Sequence, residues 1–284
     1  MGADLGFAVL ADGMGGHAAG DVASKIVVTE VFSELKLQSG DRKTFIENLP
    51  AILLEAANAA NDCVKGHVIN HAETAGMGAT LLAPVFMGRH LWWISIGDSP
   101  LFLFRDGRLM QINEDHSMAP QIDFMIRSGM MDEDTGRNHP DRSCLTSVLG
   151  GDHIPRVDCP TEPTKLRDGD ILVVASDGLQ YLSELEIESI LAARAGDTST
   201  EITDELLMRL DAHGDPEQDN ASFSVIKVEI EPVAPQQPVF TASRSAQNGG
   251  AYHTPEPPTH AADHSAKSAN LFARGSSFFR GSTS

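Results

Sequence analysis

"VLADGMGGHAAGDVASKI", residues 9–26, runs an apolar strand into an Asp-Gly pair, adds glycines at 15, 16 and 20, and then opens a helix. The helix is predicted from Val22, Ile26, Val27, Val31 and Leu35, whose spacing gathers them on one face. Upstream, "LGFAVLAD" reads as a buried strand. Downstream, residues 44–70 form a second helical region, disturbed near its start by Pro50. The block "GATLLAPVFMGRHLWWISIGDSPLFLFRDGRLMQI" reads as successive strands, with hairpin turns at residues 88–90 and at Asp106 and Gly107. "GDILVVAS" is another buried strand, helical segments at 183–194 and 200–212 follow, and "ASFSVIKVEI" is the last strand. Strands grouped in meanders, with helices before and after them, predict an α+β layered fold rather than a parallel α/β one.

Carboxylates recur where these strands stop. Asp12 ends "VLADG", Asp98 lies in "SIGDS", Asp177 in "VASDG", and Asp219 precedes the last strand in "DPEQDNASF". Asp-Gly is a favoured turn pair, and "RDGR" and "RDGD" elsewhere in the chain are plain turns between polar neighbours. Asp12 and Asp177 differ, being flanked by small and apolar residues and leading toward helices. An isolated carboxylate in such surroundings is costly to ionise, so a cation is expected beside it. Oxygen ligands without a His or Cys pattern point to Mg²⁺ or Mn²⁺. Gly13 lets the backbone approach that ion and offers its own carbonyl.

Composition narrows the function classes. The 284 residues include 41% hydrophobic ones, enough for a sizeable core, and carry a net charge of −19. Such acidity opposes nucleic-acid binding, which needs a basic surface. No apolar run is long enough for a membrane span, and the first residues do not read as a signal peptide. A cytoplasmic monomer with no nucleic-acid or membrane partner is expected. Cys63, Cys144 and Cys159 show no paired spacing, which fits free thiols. Residues 232–284 hold 6 of the 15 prolines and no apolar period, and are expected to form a disordered Pro/Ser/Ala/Gly-rich tail. The acidity therefore belongs to residues 1–231, which contain 17 basic and 38 acidic side chains.

Seven motifs in order, "ADGMGGHAAGDVAS", "GATLL", "IGDSPLFLFRDG", "EDHS", "HPDRSCLTSVLGG", "VASDGL" and "DNAS", resemble the metal-dependent serine/threonine protein phosphatases of the 2C class, in their bacterial form. The resemblance covers residues 4–231. It implies a four-layer α-β-β-α sandwich with two central antiparallel sheets, and hydrolysis of phosphoserine and phosphothreonine in proteins by a metal-activated water. It further implies that Asp12 bridges two Mn²⁺ or Mg²⁺ ions beside the Gly13 carbonyl, that Asp177 and Asp219 complete one ion's ligands, and that Asp98 with Asp177 holds a third, looser ion. The resemblance also implies that Asn220 orients its neighbours. The implied partners are phosphorylated proteins, the substrates of a serine/threonine kinase. No cysteine is followed six residues later by Arg, as a cysteine-nucleophile phosphatase requires.

Departures from the family pattern are also legible. Met14 stands where eukaryotic relatives have His, so no general acid is assigned there. Pro100 replaces the usual Arg after "GDS". The stretch from Met118 to Ser143 resembles a flap beside the active site, in which His139 and Arg142 are candidates either for substrate contact or for capping and solvent exposure. The family's first strand, carrying an Arg for the phosphate and an acidic pair for the second ion, has no counterpart after Met1, so the phosphatase domain 1–231 is expected to be N-terminally incomplete. The alternative that follows is a catalytically impaired pseudophosphatase that binds phosphoproteins.

Overall fold

The computed structural model describes residues 5–214, 220–230 and 274–279. In chain order it contains β1 (Leu5–Phe7), β2 (Gly13–Met14), α1 (His17–Gln38), α2 (Arg42–Glu47), α3 (Leu49–Asn70), β3 (Gly78–Ala79), β4 (Leu81–Met87), β5 (His90–Ile96), β6 (Leu101–Arg105) and β7 (Arg108–Gln111). There follow α4 (Ala119–Arg127), α5 (Glu133–Arg137), β8 (Thr164–Lys165), β9 (Ile171–Ala175), α6 (Glu184–Ala193), α7 (Ser199–His213), β10 (Ser222–Lys227) and β11 (Arg274–Phe279).

Two antiparallel sheets form the centre, ordered β1-β4-β5-β8 and β11-β10-β9-β6-β7, with β2 and β3 as a small ribbon. Strand alternation assigns the layers, because successive side chains point to opposite faces. On β4 and β5, Leu82, Phe86, Leu91 and Trp93 meet Leu103, Leu172 and Val174 of the second sheet. Leu81, Val85, Trp92 and Ile94 face the other way, against α1 and α3. Phe102, Val173 and Val225 in turn pack on Ile187 and Leu191 of α6 and Leu206 of α7. The result is the expected four-layer α-β-β-α sandwich. Each fully buried Leu, Ile or Phe in these layers contributes about 1.5–3 kcal/mol.

Local sequence explains the helix ends. Ser183 and Thr198 each cap a helix through a reciprocal box with Glu186 and Glu201, satisfying backbone donors that would otherwise be left over. Pro50 falls in the first turn of α3, where its missing N–H is tolerated, so the region 44–70 is two helices that meet at Asn48. Asp106 and Gly107 both have positive φ, at 53° and 80°, and make the two-residue turn between β6 and β7.

One expectation needs correcting. "LGFAVLAD" is only half-buried, because β1 pairs on one side, with β4, and forms the edge of its sheet. Residues 274–279, inside the segment expected to form the tail, run antiparallel to β10, from Ser222↔Phe279 to Lys227↔Arg274. The outer side of β10 offers a row of backbone donors and acceptors. A six-residue strand was diluted by the composition of the 53 residues around it. Residues 231–273 and 280–284 lie outside the described ones.

Candidate active site

Register brings the strand mouths together. Leu10 bridges to Leu82, Leu81 pairs with Ile96, and Leu101 pairs with Val174, so the residues following β1, β5 and β9 all emerge at one end of the sandwich. Those residues carry Asp12, Asp98 and Asp177. Hydrogen bonds lock the first two mouths to each other. The Asp12 N–H donates to Thr80 Oγ1 at 2.9 Å, the Thr80 N–H donates to the Asp12 carbonyl at 2.8 Å, and the Thr80 and Ser99 hydroxyls lie 2.9 Å apart. Asn113, buried, holds the same loop by donating to Ser95 Oγ and the Ser99 carbonyl and by accepting from the Leu101 N–H. The ring of His116, fully buried, accepts from the Gly97 N–H at Nδ1, 3.3 Å away, while the His116 backbone N–H donates to the Gly97 carbonyl. Burial, and then the positive charge of Arg156, push its pKa down.

Glycine is required where the chain passes closest to itself. A Cβ on Gly13 would stand 2.0 Å from the Gly20 carbonyl oxygen in the first turns of α1, and one on Gly178 would stand 2.2 Å from the Asn220 carbonyl oxygen. The first contact presses the Asp12–Gly13 turn onto the helix. The second brings the segment starting at Asn220 beside the Asp177 turn. Gly13→Ala therefore forces backbone to move, and is expected to cost about 1–3 kcal/mol of stability together with most of the activity, as read by thermal melts and phosphopeptide turnover. A variant as stable and as fast as the unaltered chain would contradict this packing.

The electrostatics record the convergence. Asp98 is pushed up to about 7, first by burial and then by the charges of Asp177, Asp115 and Asp12. A carboxyl group shifted in this way marks a place where a cation would be welcome. Among the described residues no three His, Cys, Asp or Glu side chains stand in a finished metal cage. The donor set is nonetheless oxygen throughout, crowded and electrostatically costly without a counter-charge, which fits a hard divalent ion. Asp219 lies outside the described residues.

Asp98, Asp115 and Asp177 line a cavity of about 940 Å³ whose wall includes Arg127, Arg142, Asp123 and Tyr181. Asp115 was missed by the sequence reading, although "EDHS" was among the motifs. It lies on no strand end next to glycine, and its carboxylate caps the Ser117 N–H at 2.7 Å. Arg127, in the last turn of α4, was missed as well. Arg142 is at the cavity, held by Asp123 through two bonds of 2.7 and 3.1 Å. His139 lies outside the cavity lining, where its Nδ1 accepts from the Asp141 N–H. Met14, 41% exposed and beside Gly78, ends in a thioether, which has no proton to donate. Burial pushes the Cys159 thiol up to about 11, which makes it a poor nucleophile at neutral pH.

The fold and this cluster of acidic strand ends define a class, and comparison with known proteins identifies it: residues 2–219 match the family described as protein phosphatase 2C. The chain belongs to that family. It is 35% identical over 188 residues to the serine/threonine protein phosphatase PstP of Mycobacterium tuberculosis, covering 65% of this chain and 33% of PstP. It thus spans about a third of that relative's length. The serine/threonine phosphatase stp of Listeria monocytogenes is 28% identical over 233 residues, covering 78% of this chain and 84% of that protein. The crystal structure of the PstP catalytic domain in complex with two manganese ions superposes with a TM-score of 0.58 at 29% identity, covering 77% of this chain and 85% of that one. These relatives are named phosphatases, and the pseudophosphatase alternative finds no support among them. Among the described residues no helix is long and apolar enough to cross a membrane.

Proposed function

We propose that this chain hydrolyses phosphoserine and phosphothreonine in proteins, using water as the nucleophile and Mn²⁺ or Mg²⁺ as cofactor. The observation that carries the reading is the meeting of Asp12, Asp98 and Asp177 at one end of the sandwich, with Asp98 driven to about 7. Asp12, the Gly13 carbonyl, Asp177 and Asp219 would hold two ions, and Asp98 with Asp177 a third. When bound, such ions supply a water that ionises near neutral pH and offset the charge of the phosphoryl group.

The chain's own side chains do the rest. Thr80 and the close Gly13–Gly20 contact fix where the Asp12 carboxylate is presented. Arg142 and Arg127 place positive charge on the wall of an otherwise acidic cavity, which draws in the dianionic phosphate and holds it off the carboxylates. The bidentate bond from Asp123 keeps the Arg142 guanidinium oriented for that contact. Catalysis resides in residues 1–231, to which residues 274–279 add an edge strand. The substrates are phosphoproteins made by a serine/threonine kinase, and the setting is a cytoplasmic monomer without nucleic-acid or membrane partners.

The test is phosphate release from matched peptides carrying phosphothreonine, phosphoserine or phosphotyrosine, with Mn²⁺ present. Release from the first two at rates well above the third is expected. No release, or release from phosphotyrosine alone, would overturn the proposal.

A further inference from the structure

Cys63, His67 and His71 follow one another at intervals of four residues and so lie along one face of α3 and its C-cap. With Lys25, Thr29 and Glu30 of α1 they line a groove of about 450 Å³, away from the acidic cavity. The imidazole rings of His67 and His71 stack there, with centroids 4.1 Å apart and 14° between their planes. His71 Nδ1 stands 3.1 Å from the His67 carbonyl oxygen. A carbonyl oxygen only accepts, so Nδ1 carries the hydrogen in this bond and the ring's lone pair sits on Nε2. Metal-binding histidines are held in this way, one ring N–H fixed by a backbone or carboxylate oxygen and the other nitrogen presented to the ion.

We propose that His67 and His71 form a binding site for a late transition metal of the Zn²⁺, Ni²⁺ or Cu²⁺ class, separate from the acidic cluster. Imidazole nitrogen favours these ions, whereas the carboxylates around Asp98 favour Mg²⁺ and Mn²⁺, so the two sites select different metals. The site is an open one: two imidazoles one helical turn apart, with water in the remaining positions. His71 stays held by its backbone bond, and the His67 ring turns out of the parallel stack to meet an ion on His71 Nε2. The site does not require a third protein ligand, and the described residues offer no three-ligand cage. Cys63, one turn earlier, stays outside the shell, since among the described residues no three such side chains stand together as a metal cage. An ion held here clips the last turn of α3. That turn leads through residues 72–74 into β3, whose Ala79 pairs with Gly13 in the active-site ribbon.

The experiment is calorimetric titration of the full chain with Ni²⁺ while saturating Mn²⁺ occupies the carboxylates. His67→Gln and His71→Gln are each expected to weaken Ni²⁺ binding by at least about tenfold, the loss that even outer contacts of metal ligands cause. Cys63→Ser is expected to leave it unchanged. Ni²⁺ is also expected to raise the melting temperature of the unaltered chain and not that of His71→Gln, a substitution beyond the helix end that leaves the fold intact by circular dichroism. Equal Ni²⁺ affinity in the unaltered chain and in both histidine variants would overturn the proposal, as would equal loss in Cys63→Ser.

Discussion

Asp12→Asn is expected to lower phosphopeptide turnover by about 10³-fold or more while the chain remains folded. Losing a single preorganised group that stabilises developing charge costs roughly 10²–10³ in rate, and in the proposed site Asp12 would serve two ions at once. The fold should survive, because two bonds that tie this position to Thr80 are made by the backbone: the Asp12 N–H donates to Thr80 Oγ1 and the Asp12 carbonyl accepts from the Thr80 N–H. Asparagine keeps both bonds and nearly the same shape, so the loss measures charge. Turnover within tenfold of the unaltered chain, measured at saturating Mn²⁺, would show that the chemistry lies elsewhere.

Asp98→Asn tests the same cluster from the side of stability. Asp98 is crowded by Asp177, Asp115 and Asp12 in a largely buried setting. With chelator present, nothing but protein offsets that repulsion, so the neutral amide should raise the melting temperature by at least about 2 °C, the shift that some 1 kcal/mol produces in a domain of this size. With Mn²⁺ the order should reverse, since the variant would lack a carboxylate that the proposed ion stabilises. Differential scanning calorimetry in chelator and in Mn²⁺ separates the two cases. A variant less stable than the unaltered chain under both conditions would mean that Asp98 serves the fold instead of an ion.

Much of this arrangement was legible in the residues. The alternating apolar pattern of β4 and β5 placed strands correctly, and the turn at Asp106 and Gly107 was read from composition alone because that pair favours positive φ. Trp92 and Trp93, alternate on β5, both prove to be core residues, one on each face of the sheet. Asp12, Asp98 and Asp177 stood out because each follows a buried strand and sits beside glycine. Asp115 did not, since its neighbours Glu114 and His116 resemble an ordinary polar loop. Its place depends on the long-range pairing of His116 with Gly97, which no local pattern encodes. The strand at 274–279 escaped for a related reason: a short edge strand depends on an available partner, and β10 supplies one about fifty residues away in sequence.

The central claim is that acidic strand ends hold divalent ions that activate water against a phosphomonoester. Its most direct test is the rate of phosphate release from a phosphothreonine peptide by the full chain, measured first with excess chelator and then after Mn²⁺ is restored. The account predicts turnover near background in chelator and recovery on adding Mn²⁺, with no recovery for Asp12→Asn. Undiminished turnover in chelator would contradict it.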